Sequence, residues 1–145
     1  MLFSKKANYG IMALLYLHRN RQKKRFYRAQ EIAKDLGLKA SYLTKTLQDL
    51  ARAGYIASMT GPEGGFALPP ASDQTTLLQI YEALDGEVLG QCAMGWEACT
   101  TGAACPLHES TAAYKKHVSK ILASTSIADA ARPRGWPSVL TEKKK

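Results

Sequence analysis

Long apolar runs are missing from this 145-residue sequence. The longest, Ile11 to Leu17, is seven residues, against the ~20 that a bilayer-spanning helix needs. No small-residue cleavage site follows it, so it does not read as a secretory signal. Cysteine is scarce and odd in number, three in all, which argues against the paired framework of a secreted disulfide scaffold. Apart from Lys143-Lys144-Lys145, there is no low-complexity tract and no internal repeat. Nor does any serine or cysteine have an evident base and orienter. Glu82 and Asp85 fall at an ordinary helix end, and an enzyme is not expected. These absences leave a soluble chain, expected in the cytoplasm, with no membrane partner.

With 46% apolar and 22% charged residues, the composition is that of a globular domain rather than a disordered chain. A chain this long buries enough surface to fold without a metal or disulfide. Its charge is unevenly placed. Residues 1–60 hold 12 Lys/Arg against 3 Asp/Glu, a net of +9, whereas residues 61–145 hold 8 against 9, a net of −1. The whole basic excess lies in the first part, which points to a polyanion-binding module there. A solvated basic surface is the plainer reading of the same charge.

Periodicity organises the chain. Ala7, Ile11, Leu14, Leu15 and His18 fall on one helical stripe between Lys5 and His18. Six cations, Arg19, Arg21, Lys23, Lys24, Arg25 and Arg28, crowd the connector that follows. Ile32, Ala33 and Leu36 predict a short helix over Gln30 to Leu36, closed by Gly37. Leu43, Leu47 and Leu50 predict a second, starting near Lys39 to Ser41 and running to Ala53, closed by Gly54. Two helices about a tight turn read as a helix-turn-helix. Two strand-like runs, Tyr55 to Thr60 and Phe66 to Leu68, flank Gly61-Pro62-Glu63-Gly64-Gly65 and read as a hairpin wing. Thr76-Leu77-Leu78-Gln79 has the spacing of a capping box and opens a helix ended by Asp85-Gly86. After a stretch without periodicity, residues 87–107, a longer helix resumes at Glu109 with Tyr114, Val118, Ile121 and Leu122 apolar. One small domain leaves that stripe little to cover, so a partner subunit is a reasonable destination, with packing on the first helix as the plainer one. A short segment, Ser126 to Ala131, and a basic tail follow.

In a helix-turn-helix the second helix reads the major groove, its first turns nearest the bases. With the leucines inward, Ser41, Tyr42, Lys45 and Thr46 are expected to face outward, where hydroxyls and a lysine meet base edges or phosphates. Lys5 and Arg28 add cations from the flanking segments. The wing glycines Gly61, Gly64 and Gly65 are expected to let backbone come close to phosphate; the loop lacks the Lys-Ser/Thr ending of a P-loop.

The sharpest signal is Cys92-x6-Cys99-x5-Cys105-x2-His108. All three cysteines fall within fourteen residues of a Gly-rich segment, with a histidine three positions beyond the last. Loop backbone is free to aim four such side chains at one point. Three thiolates and an imidazole suit zinc or an iron–sulfur cluster equally. A thiol redox switch is the third reading. His18 and His117 lie on helical segments and read as packing or surface residues.

Together, Lys5 to Leu17, the reader from Ala33 to Gly54, the wing Gly61 to Phe66 and the three-cysteine segment resemble the winged-helix iron–sulfur transcription regulators related to IscR and NsrR, over nearly the whole chain. The wing sequence and Cys105-Pro106-Leu107-His108 are the specific parts. The resemblance implies a homodimer on double-stranded DNA, joined by the long helix after His108. Its operator affinity would follow a cluster that senses iron–sulfur status, iron, redox state, or small molecules such as nitric oxide or oxidants. It assigns Cys92, Cys99 and Cys105 as cluster thiolates and His108 as the histidine completing a 2Fe–2S site. Asn8 stands where nitric-oxide-sensing members supply an aspartate, which favours 2Fe–2S over 4Fe–4S. Thr44 stands where some members carry a glutamate that discriminates between operators, so no operator preference is carried over.

The expected fold is mainly α: a winged helix-turn-helix with a small hairpin wing and a long dimerisation helix. Residues 1–86 would form the DNA-binding domain and 87–108 the cysteine segment. Residues 109–131 would form the dimerisation helix with a short C-terminal helix, and 132–145 a flexible basic tail. The rival readings are a zinc-stabilised regulator, a metal-free thiol switch, and an adaptor that does not bind DNA.

Overall fold

The computed structural model describes residues 3–92 and 105–132. Its helices are Lys5–Asn20 (α1), Ala29–Leu36 (α2), Ala40–Arg52 (α3), Leu77–Asp85 (α4), His108–Ser124 (α5) and Ile127–Ala130 (α6). Its strands are Ala57–Met59 (β1) and Gly65–Ala67 (β2). This is a mainly α winged helix-turn-helix. Among the described residues no helix is long and apolar enough to cross a membrane.

The core is built around α1. More than one stripe of it is buried, since Gly10, Ala13 and Leu17 join Ala7, Ile11, Leu14 and Leu15 inside. The reason is that α2, α3, α4 and α6 all pack on it, so a second face loses its water. His18, expected on the inner stripe, is only half-buried and lies 3.7 Å from Asp73. Burial holds its imidazole below the usual histidine range, although Asp73 opposes that shift. At the crossing of α1 with α3 and α4, a Cβ on Gly10 would come within 2.5 Å of Leu84 Cδ1. The helix starts at Ser4, whose hydroxyl oxygen accepts from the Ala7 N–H at 3.1 Å while Ser4 also hydrogen-bonds Asp85.

Helices α2 and α3 are joined by Gly37, which takes a left-handed φ of 68°. That conformation is cheap for glycine, and it lets the Leu38 N–H donate to the Ala33 carbonyl at 2.8 Å. Leu43, Leu47 and Leu50 are completely buried on the inner face of α3. The wing pairs Ala57 with Ala67, Ser58 with Phe66 and Met59 with Gly65, antiparallel. It is shorter than the expected Tyr55 to Thr60 run, because the Tyr55 N–H donates back to Leu50 at the end of α3. The basic connector also contributes an edge that periodicity does not show: Tyr27 and Phe66 exchange backbone hydrogen bonds of 2.9 and 2.8 Å.

Thr76 caps α4 as its sequence predicts, with the Gln79 N–H donating to its hydroxyl and its own N–H donating to the Gln79 carboxamide. Helix α5 is different. Of its 17 residues only Leu122 is buried, so it gains little from the other described residues. The chain then returns to the first domain. Ile127 is fully buried in the core, and Leu77 and Ile127 donate to Thr125 and Thr75 at 2.9 Å each. The short helix α6 therefore belongs with the core around α1, rather than forming a separate unit with α5. Residues 133–145, nearly all of the expected tail, and Cys99 lie outside the described residues.

Candidate functional site

Helix α3 presents a basic face. Lys39, Ser41, Tyr42, Lys45 and Arg52 are all exposed. Its one acidic residue, Asp49, is engaged by Lys6 of α1 at 2.6 Å and by Arg52 at 3.3 Å. The hydrogen bond from Lys6 holds that carboxyl below the usual range. The negative charge is thus spent on Lys6, and Lys39 and Lys45 set the potential of the first turns.

Tyr42 is 38% exposed and meets Tyr9 of α1 edge-on, with ring centroids 5.5 Å apart. One edge of its ring thus packs on α1 while the rest stays exposed. Lys5 lies 5.7 Å above the Tyr9 ring. Lys5, Tyr9 and Tyr42 thereby form one cation–aromatic cluster beside the start of α3.

Thr46 requires a correction. It is 1% exposed, and its hydroxyl donates to the Tyr42 carbonyl at 3.1 Å. Position 46 lies three residues after Leu43 and four before Leu50, which the 3.6-residue period places on the inner face. Its methyl group faces Gly10. It is a core residue and is not available to a DNA groove.

The wing glycines also change meaning. Gly64 is buried, and a Cβ there would lie 2.2 Å from the Met59 carbonyl oxygen. At Gly65, with φ of 143°, a Cβ would lie 2.4 Å from the Tyr27 oxygen. The chain's own backbone needs both glycines, so an approach to phosphate is not required to explain them; Gly61, at the exposed tip, is not crowded in this way. Gly65→Ala is expected to cost about 1–3 kcal/mol of strain and clash. It should loosen the wing while leaving the helices intact. Unchanged helical circular dichroism with altered Phe66 and Tyr27 amide signals would bear this out; an unaltered wing spectrum would refute it.

Arg28 is exposed, but its guanidinium donates to the Pro62 carbonyl at 2.6 Å, which ties the wing tip to the start of α2. Its backbone N–H donates to Glu31 at 2.8 Å. Glu31 is held below the usual carboxylate range, first by its hydrogen bond from Lys24 and then by this backbone N–H.

The cysteine segment follows α4 in the chain and ends where α5 begins, at His108. Cys92 and Cys105 are both half-buried, and neither is in a disulfide among the described residues. His108 opens α5, its N–H donating to the Cys105 carbonyl at 3.1 Å. Lys115 of α5 hydrogen-bonds the Gln91 carbonyl, joining the two ends of the segment. In kind, two thiols and an imidazole suit a soft metal centre. In position they do not form one by themselves: among the described residues no three His, Cys, Asp or Glu side chains come together to hold a metal.

The model of the Rrf2 family, described as iron-dependent transcriptional regulators, matches residues 3–133. The chain belongs to the Rrf2 family. Its Rrf2 relatives include the HTH-type transcriptional regulator IscR of Aliivibrio salmonicida, 27% identical over 129 residues, 89% of this chain and 76% of that one. Among solved structures, CymR, the global cysteine regulator of B. subtilis, superposes with a TM-score of 0.72 at 24% identity, over 89% of this chain and 95% of CymR. IscR of T. potens does so with a TM-score of 0.67 at 23% identity, over 88% and 83%. At those identities the two structures show the fold alone. Membership makes this chain a DNA-binding transcriptional regulator and not an enzyme.

For an Rrf2 regulator the exposed α3 face is where duplex contact is tested. Lys45→Ala is expected to weaken binding to different duplexes about uniformly and to lower the slope of log affinity against log salt by about 1. An unchanged slope would remove Lys45 from the interface. Tyr9 was not legible as part of this surface, nor Tyr27 as the support of the wing. Only the packing of α1 on α3 and of the connector on the wing brings these two aromatics into place.

Proposed function

We propose that this Rrf2 regulator binds DNA as a homodimer and that an iron–sulfur cluster, 2Fe–2S by preference, held by Cys92, Cys99, Cys105 and His108, controls its operator affinity. The observation that carries the reading is the placement of Cys92, Cys105 and His108 at the two ends of the segment between α4 and α5. When bound there, a cluster would supply iron–thiolate bonds that depend on redox state and iron supply. Everything downstream belongs to the chain's own packing. Tying the segment's ends together fixes where α5 leaves α4, and α4 packs directly on α1 and α3. A change in α5 therefore reaches the recognition helix through helices already in contact, as a shift between pre-existing arrangements.

Dimerisation is supported by α5 itself. Leu107, Tyr114 and Ile121 recur every seven residues, and all three are exposed, Tyr114 by 53% and Ile121 by 49%. A helix that buries one residue of 17 while exposing such a stripe is completed by a second copy. Two recognition helices related by a dyad would then read half-sites about one DNA turn, ~34 Å, apart. The groups proposed to face DNA are Lys5, Arg28, Ser41, Tyr42, Lys45 and the tip at Gly61.

A second reading, a metal-free thiol switch, is favoured by one observation: the described thiols and imidazole do not converge. Purification without oxygen, followed by a visible spectrum and iron, sulfide and zinc analysis, separates the two. Broad visible absorbance with about two iron and two sulfide per chain supports the cluster. A colourless, metal-free protein whose operator binding follows added reductant supports the switch. One zinc per chain without colour would leave a structural metal and overturn both.

A further inference from the structure

Behind the wing lies a cleft of about 440 Å³, lined among others by Arg21, Arg25, Phe26, Ala57, Ala67 and Leu68. Its volume is within the range of small-molecule sites, which are mostly apolar with a few polar groups that orient the ligand. The walls follow that pattern. Phe26, Leu68, Pro69 and Pro70 supply apolar surface, and Ala57 and Ala67, a registered pair across β1 and β2, form a floor of small side chains.

The charge at the rim is selective. Arg21 is already engaged, its Nη1 lying 2.7 Å from Asp73. Arg25 is exposed, has no carboxylate partner among the described residues, and stands with its guanidinium carbon 5.4 Å from the centre of the Phe26 ring. Two arginines balanced by one aspartate leave a single positive charge beside apolar walls. That combination suits one negative charge on an apolar body, and a planar guanidinium pairs well with a carboxylate.

We propose that this cleft is a binding site for a small monocarboxylate with an apolar body, its carboxylate on Arg25 and its body against Phe26, Leu68 and Pro69. No cysteine and no residue of α3 is among the described residues that line the cleft, so the proposal does not rest on the cluster. An occupant on the Ala57–Ala67 floor touches both strands of the wing from behind. The connector that supplies Arg25 and Phe26 runs straight into Tyr27 and Arg28, which hold the wing from the front.

The test is titration of the isotope-labelled full chain with 4-phenylbutyrate and, in parallel, with the neutral 4-phenylbutanamide, read by amide chemical shifts. Saturable shifts at Ala57, Ala67 and Leu68 with the acid are expected. The amide should bind about fivefold more weakly, and so should the acid to Arg25→Gln, the loss that goes with one partly exposed charge pair. Ala57→Leu, which fills the floor, should abolish the shifts in a protein that keeps its helical spectrum. The proposal is overturned if the acid gives no saturable shift at these residues at millimolar concentration. It is also overturned if acid and amide bind alike, or if Arg25→Gln or a folded Ala57→Leu binds as tightly as the original chain.

Discussion

Leu47→Ala is expected to remove about 2–5 kcal/mol from the stability of the domain, a large share of the roughly 5–15 kcal/mol that holds a native domain together. Leu47 is completely buried on α3, between Leu43 and Leu50, which are buried to the same extent. Helix α3 packs on both α1 and α2, so the lost methyl groups open a cavity where three helices meet. Rigid neighbours relax little around such a cavity, which places the cost toward the upper part of the range. Urea unfolding followed by circular dichroism reads the change, as a lower midpoint at unchanged slope. Operator affinity measured well below that midpoint should change far less than stability. A loss below about 1 kcal/mol would mean that the inner face of α3 is not packed as described.

The sequence pattern made the same face legible. Leucines at 43, 47 and 50, glycines at 37 and 54 and the Thr76–Gln79 box mark helices whose limits agree with the structure to within a residue or two, because each signal is local. Thr46 shows where that reasoning stopped. Its hydroxyl suggested solvent, yet its phase on the helix is that of the leucines, and the hydroxyl is satisfied within the helix by the Tyr42 carbonyl. Phase outweighed polarity. At Gly64 and Gly65 the limit is of another kind. Their need for a small residue was evident, but the groups that crowd them, Met59 and Tyr27, become neighbours only once the hairpin and connector pair. Likewise, α6 is too short to announce its partner, and only the fold brings Ile127 under α1. The cysteine motif stood out in sequence because it rests on residue types and spacing, neither of which depends on packing.

That motif carries the other large effect. Cys99→Ala is expected to abolish visible absorbance and iron retention under anaerobic purification while the chain stays folded and dimeric. The folded core gives the reason. Among the described residues, its buried members come from α1 to α4, the wing region and α6, and none lies between residues 85 and 121. Gly86 closes α4 and His108 opens α5, and the described residues between them contribute nothing to that core. At Tyr114 and Ile121 the dimer surface proposed for α5 lies about two to four turns beyond His108 and should persist there. A structural zinc site predicts the opposite, because its binding free energy is folding free energy; there, Cys99→Ala would lose helical signal together with the metal. His108→Ala refines the outcome. If the imidazole is the fourth ligand, the variant should assemble less iron or show a shifted spectrum, while its thermal unfolding changes little. A His108→Ala protein with the original spectrum and iron content would move the fourth ligand elsewhere. Colour that survives Cys99→Ala would dismiss the ligand set itself, and with it the route from the cysteine segment through α4 to the recognition helix.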